Sequence, residues 1–320
     1  MLQQQVTSRG APREVQGLFT PPWRAGRKRP AQRVVKAHQL VVYLGPSVVL
    51  ALAFIVVPLI FVVAASGTQW AGIGPAKYVG IQNYVYLFHD RAFRSAIYNT
   101  LLWAAAGIFV QTPLCLLTAL VLSRRPFLWR FFRTALFIPS VVSTTILALM
   151  WYFLLDPNVG LVNGTLKAAG LKSWTHTWLS DPGTAQWSIM VPFVIYIGFG
   201  MILFLTQIST IPRELFEAAR LDGANVWQQD RYITIPAIRR AIALWVLFLV
   251  GYVMKMFEYP FVMTDGGPAN RTMNLPLYVY NQMVTANAYG LAMAAGVVTV
   301  VLGALLVLVA LLGLRWMESR

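Results

Sequence analysis

Six runs of the chain, near residues 40–65, 95–122, 134–155, 187–208, 239–263 and 288–314, are long and apolar, and five contain no Asp, Glu, Lys or Arg. A helix rises about 1.5 Å per residue, so roughly 20 such residues cross about 30 Å of hydrocarbon. Inside that layer no water is available to backbone amides and carbonyls, and a helix satisfies them within itself. The pattern therefore predicts an all-α membrane protein with six transmembrane helices. Only the fifth run carries charge: Arg239 and Arg240 at its very start, and Lys255 and Glu258 far into it. Composition agrees: 12% of residues are charged and mean hydropathy is +0.61, against roughly a quarter charged in ordinary globular chains.

The first run has a cleavage-like "VVAAS" at 62–66, but a polar leader of nearly 40 residues precedes it, so it reads as a membrane anchor rather than a removed signal. Outside the spans, Lys and Arg number nineteen on one set of alternating connections and six on the other. The positive-inside rule then puts both termini in the cytoplasm. Residues 1–38, with "RAGRKRP" at 24–30, read as a mobile basic arm. It serves either attraction to anionic headgroups or simply orientation. Residues 39–320 form the membrane domain.

The net charge of +15 is dispersed between apolar segments and makes no continuous face, which argues against nucleic acid as a partner. Cys115 is the single cysteine, so no disulfide forms within the chain. His38, His89 and His176 are widely separated and suggest no metal site.

The most polar long stretch of the second half is the cytoplasmic loop 209–238, containing "STIPRELFEAARLDGANVWQQDRYITIP". Ser209 or Thr210 can cap a helix there, Pro212 suits its first turn, and Glu214 and Glu217 lie toward its positive end. Arg213, Glu217 and Arg220 share one face; Leu215, Ala218 and Ala219 supply a less polar one. Gly223 is a natural stop. Taken alone, these residues fit either a helix that docks into a partner's cleft or a solvated loop helix touching only its own protein.

"EAARLDGANVWQQDRYITIP" resembles the EAA loop of binding-protein-dependent ABC importer permeases: Glu217, Ala218, Ala219, Gly223, Ile233 and Pro236 match, with Ile235 in place of a leucine. "YVGIQNYVYLF" at 78–88, "YNTLLW" at 98–103, "FIPSVVSTTILALMWYFLLDPNVGLVN" at 137–163 and "TDGGPANRTMNLPLYVYNQM" at 264–283 are similar to segments of the maltose-type, carbohydrate-uptake members. The resemblance covers all but residues 1–38. It implies a type I importer permease arrangement in which Glu217, Ala218, Ala219, Leu221, Asp222 and Gly223 couple to an ATPase. No phosphate-binding G-x-x-x-x-G-K-[ST] pattern occurs in the chain. ATP and Mg2+ are therefore expected on partner ATPase subunits, with no cofactor in this chain. The implied assembly has a second homologous permease, two ATPases and an extracytoplasmic solute-binding protein, in a bacterial or archaeal cytoplasmic membrane.

Lys255 lies about 24 Å of helix from the inner end of the fifth run, where charged side chains usually face a bundle interior or cavity. It either pairs with Glu258, three residues on, or faces substrate. Resemblance puts sugar contacts near Tyr196, Phe199, Tyr252 and Lys255, an aromatic platform with a hydrogen-bonding group. Lysine here departs from a neutral amide, leaving an anionic or phosphorylated sugar and an ion pair with Glu258 both open. Gly198 and Gly200 either bend the fourth run or permit close packing. "NGT" at 163–165 is too short a motif to carry a role. The competing class is an ion-coupled transporter or channel using Lys255 and Glu258; an enzyme is disfavoured because no nucleophile–base pair or metal cluster stands at a membrane face.

Overall fold

The computed structural model describes residues 37–318, with side chains from 42 to 313. The basic arm expected at 1–38 lies outside the described residues except for its last two, which already belong to a helix. Two compact units divide at Val57 and Pro58. In the first, α1 (Ala37–Ala51) runs into a π-type turn at Leu52–Val56, and its apolar side chains are exposed, Phe54 by 76%.

The second unit opens at Pro58 inside α2 (Val57–Ser66), followed by a two-residue antiparallel ribbon, β1 (Thr68–Gln69) on β2 (Lys77–Tyr78), a small departure from the all-α expectation. Asn83 fastens it by donating to the carbonyls of Ser66 and Thr68. Next come α3 (Gln82–His89), α4 (Arg91–Ala106) and α5 (Thr112–Ser123), the last two joined by a π-type turn at Gly107–Gln111. The α6 (Trp129–Phe137) and α7 (Thr144–Leu154) pair flanks Pro139, and α8 (Leu161–Ala168) lies in the following loop. Then α9 (Ala185–Ile195) and α10 (Gly198–Ile208) make a broken span. The polar loop holds α11 (Arg213–Leu221), α12 (Val226–Gln229) and α13 (Ile235–Ala237). The chain finishes with α14 (Arg239–Val253), α15 (Glu258–Thr264), α16 (Leu275–Tyr280) and the long α17 (Tyr289–Glu318).

Four helices are long and apolar enough to cross a membrane: Val42–Ser66, Arg91–Ser123, Ala185–Ile208 and Tyr289–Gly313. Two bent pairs raise the number to six if each is one span: Trp129–Val141 with Thr144–Leu154, bent by 102°, and Val226–Ala237 with Arg239–Val253, bent by 65°. The third run is therefore not a straight helix; the 65° bend falls just before the fifth run, which is interrupted further on, after Val253. In the third, Pro139 supplies no amide, and the chain tightens into a 3₁₀ turn at Ile138–Val141 before Val142 becomes extended. In the fifth, α14 stops at Val253, and Lys255 and Met256 form tight turns back to Tyr252 and Val253. Asn274 Nδ2 then captures the Met256 carbonyl, so the chain re-enters helix only at Glu258.

Packing produces two cores. The larger gathers Trp103, Phe193, Met201, Phe204, Trp245 and Tyr259; the smaller gathers Leu87, Phe93, Leu275, Leu277, Tyr278 and Ala294. Close approach depends on small residues, as expected where lipid competes equally for apolar surface. A Cβ on Gly198 would stand 2.3 Å from the Leu136 carbonyl oxygen, and one on Gly200 2.7 Å from Cys115 Sγ. Both glycines therefore serve packing. The break of the fourth span falls just before them, where the Tyr196 amide still bonds the Pro192 carbonyl but the Ile197 amide turns back to the Ile195 carbonyl.

Candidate functional site

The polar loop is a short helix with a cap at each side of its turn. Pro212 occupies the N-cap position of α11 with extended backbone; Ser209 and Thr210, expected as caps, instead donate to the Thr206 and Gln207 carbonyls at the end of α10. At the other end Gly223 takes φ +77°. Its amide bonds the Arg220 carbonyl at 3.1 Å and the Ala224 amide bonds Ala219 at 2.8 Å, a Schellman closure. Asn225 at once begins the next helix: its side chain accepts from the Gln228 amide while Gln228 Oε1 accepts from the Asn225 amide.

This geometry presents α11 outward. Glu217, Ala218, Asp222 and Gly223 are exposed and Ala219 half-buried. Leu221 is 90% exposed, and Val226 and Trp227 beside it are exposed too. Arg213, Glu217 and Arg220 share a face as the spacing predicts, yet they form no ion pair among the described residues, whereas Arg124 and Asp230 do. That pair ties the 123–133 loop to the π-type turn Asp230–Thr234. It was invisible in the sequence because the partners lie 106 residues apart. Between the two loops is a cavity of about 670 Å³ edged by Arg125, Arg133, Arg213, Phe216, Glu217 and Arg220.

The five residues expected along the substrate route fall at or next to the breaks in the fourth and fifth spans, and none lines the cavity beside the polar loop. Tyr196 sits at the break of the fourth span, its hydroxyl accepting from Trp151 Nε1 at 2.6 Å. Tyr252 stacks on Phe193 with ring centroids 6.3 Å apart. Phe199 packs on Trp245 and Phe248 and remains 47% exposed. Lys255, exposed, lies in the gap between α14 and α15; Glu258 begins α15, and its carboxylate accepts from the Phe257 amide. Lys255 and Glu258 are not within ion-pair distance. The residue missed in this region is Gln111, buried in the second span, whose Nε2 donates to the Phe193 carbonyl at 2.6 Å. An amide inside a greasy run, one of two there with Asn99, was the available clue.

Outside the spans, the "TDGG" loop is tied down internally. Thr272 Oγ1 lies 2.7 Å from Thr264 Oγ1 and donates to the Gly267 carbonyl, and the Leu275 amide donates to Thr100 Oγ1. Asn163 of "NGT" is buried, donating to Pro157 and His176 carbonyls and accepting from Trp178 Nε1, a structural role. No group of three or more His, Cys, Asp or Glu that could hold a metal occurs among the described residues.

A helical bundle with several apolar, membrane-length helices, broken spans and a capped, exposed polar helix fits a multi-pass membrane component. The model of the family described as "binding-protein-dependent transport system inner membrane component" matches residues 111–320. The probable ABC transporter permease protein YurN of Bacillus subtilis is 36% identical over 266 residues, covering 81% of this chain and 90% of its own. The diacetylchitobiose uptake system permease protein NgcF of Streptomyces coelicolor is 33% identical over 286 residues, covering 83% and 80%. A solved bacterial alginate ABC transporter, in complex with an alginate pentasaccharide-bound periplasmic protein, superposes with a TM-score of 0.75 at 27% identity, covering 85% and 92%. The chain belongs to the binding-protein-dependent transport system inner membrane component family. It is an ABC importer permease subunit, a transport component rather than an enzyme, and the ion-coupled alternative falls away.

Proposed function

We propose that this subunit imports a sugar or oligosaccharide across the cytoplasmic membrane of a bacterium or archaeon, with six spans and both termini inside. The observation that carries the coupling role is α11 itself: Glu217 is exposed without a partner among the described residues, and Leu221 stands 90% exposed beside it. A capped, rigid helix offering a carboxylate and an apolar side chain is suited to a cleft on an ATPase subunit. Glu217, Ala218, Ala219, Leu221, Asp222 and Gly223 would make that contact. ATP-driven closure of two ATPases would then rotate the bundle through α11 and the Arg124–Asp230 tie.

For substrate, Tyr196, Phe199, Tyr252, Lys255 and Glu258 supply aromatic faces and hydrogen-bonding groups at the two breaks, where a sugar's CH faces stack and its hydroxyls find partners. The diacetylchitobiose permease and the alginate transporter support a carbohydrate. A second permease completes the pathway, and a solute-binding protein delivers the sugar to the outward-open state. The test is capture of the chain from gently solubilised membranes. Recovery of an ATPase and a second permease, with ATP hydrolysis stimulated by a sugar-loaded binding protein, is expected; recovery of the chain alone would refute the assembly.

A further inference from the structure

The outer connections hold only six Lys and Arg, as the positive-inside rule requires. Three of the six, Arg91, Arg94 and Arg271, line one cavity of about 610 Å³, although they come from connections far apart in the chain. None has a carboxylate within 4 Å among the described residues. The neighbouring acids do not line the cavity. Asp90 is turned away, capping α4 through the Ala92 amide and accepting from the Tyr278 hydroxyl at 2.7 Å. Burial and then that hydrogen bond push the Tyr278 phenol above its usual range, so it stays a neutral donor to Asp90 at ordinary pH.

The cavity is held by buried amides. Asn99, 4% exposed, donates to the Arg271 carbonyl at 2.8 Å and to the Met273 carbonyl at 2.7 Å. With its amide oriented to satisfy both neighbours, Gln186 donates to the same Arg271 carbonyl at 3.1 Å and accepts from Trp103 Nε1 at 3.2 Å. The backbone of Arg271 is therefore fixed opposite α4, while its guanidinium stays exposed. Tyr98 and Trp187 stand at the same cavity, 67% and 60% exposed, and neither ring packs on another aromatic ring among the described residues.

Three unpaired guanidiniums beside two free aromatic faces constitute a site for a sugar that carries negative charge. We infer that this cavity binds an acidic sugar residue, its carboxylate or ester anion held by Arg91, Arg94 and Arg271 and its ring stacked on Tyr98 or Trp187. Guanidinium forks match carboxylate, sulfate and phosphate oxygens bidentately, and a pocket of this volume encloses one or two pyranose rings rather than a protein surface. The inference deepens the importer reading and rests on the outward placement of these connections given there. It adds a selective vestibule to the route, distinct from Tyr196, Tyr252 and Lys255.

The test uses the full-length chain in nanodiscs of uncharged lipid, titrated calorimetrically with a galacturonic acid trimer, with maltotriose and inorganic sulfate as comparators. The acidic trimer should bind at least tenfold more tightly than maltotriose, and more weakly as salt rises. Arg91→Gln, Arg94→Gln and Arg271→Gln should each weaken it by roughly tenfold, at unchanged melting temperature, with Arg271→Lys intermediate. Trp187→Ala should weaken the trimer and leave sulfate unaffected. Equal binding of both trimers, or full acidic-trimer affinity in the triple Arg→Gln variant, would overturn the inference. So would sulfate binding as tightly as the trimer, which marks a plain anion site. If the Gln variants lose stimulation by a loaded solute-binding protein but keep trimer affinity, the cavity is a protein contact and the inference fails. Sugar uptake that persists without acidic-trimer binding refutes the vestibule while leaving the importer function standing.

Discussion

Arg124 and Asp230 form an ion pair that joins the 123–133 loop to the π-type turn directly after α12. Their side chains are 42% and 15% exposed, so solvent screening limits the pair to at most about 1 kcal/mol of stability. Under the proposed coupling role its value is mechanical: motion of α11 would reach a second part of the bundle through it. Asp230→Asn or Arg124→Gln should shift melting by no more than a few degrees, yet reduce uptake several-fold at a given ATPase rate. The reversed pair, Arg124→Asp with Asp230→Arg, should recover part of that loss in a double-mutant cycle of uptake per ATP hydrolysed.

Glu217→Ala removes an exposed carboxylate that bonds nothing else described in the chain, so membrane abundance should stay near normal while uptake is abolished or ATPase activity uncoupled. Gly223→Asp acts differently. At φ +77° any side chain is strained, by about 1 kcal/mol or more, and the Schellman closure loosens. Both variants should remain in the membrane; fully coupled transport by both would remove α11 from the mechanism.

Gly198→Ala should cost about 1–3 kcal/mol, because the new methyl meets the backbone of Leu136 and Phe137, which cannot rotate away as a side chain would. Gly251→Ala, with no atom within 4 Å of the added carbon, is the matched control and should be neutral. Fluorescence-detected size exclusion after heating a detergent extract compares the two directly.

Asn274 caps α16 through the Leu277 amide and donates to the Met256 carbonyl, and it is 1% exposed. Asn274→Ala should destabilise by about 1–3 kcal/mol, since it strands a buried carbonyl and an uncapped amide. A lower melting temperature together with altered substrate affinity is expected, because the Met256 carbonyl sits one residue from Lys255.

Lys255→Gln should change substrate affinity or range more than assembly, as the exposed ammonium makes no ion pair with Glu258. Recovery of normal amounts of the assembled complex with a changed concentration dependence of uptake is the expected outcome. A loss of assembly alone would assign Lys255 a structural task.

Much of the local structure of α11, the proposed coupling helix, could be read from the chain because its signals are local. Pro212, Gly223 and Asn225 each fix backbone within one turn of themselves, so the helix and its stop follow from adjacent residues. The cap itself was misplaced: Ser209 and Thr210 are drawn to carbonyls of α10, an equally local competitor that spacing does not rank. The proposed substrate route was harder. Tyr196, Tyr252 and Lys255 were marked by type, but the breaks that display them depend on contacts between distant elements.

Alternation of charge-free runs with basic connections determined that this chain is a helical membrane protein, because the cost of placing charge or unbonded backbone in hydrocarbon acts on each segment independently. Tertiary structure decided where those helices break and which polar groups meet. The fifth span ends where Asn274 captures Met256, and Arg271 faces Arg91 and Arg94 because Asn99, 172 residues away, holds its carbonyl. Such hydrogen bonds are selected by how the helices pack, and hydropathy and periodicity carry no record of them.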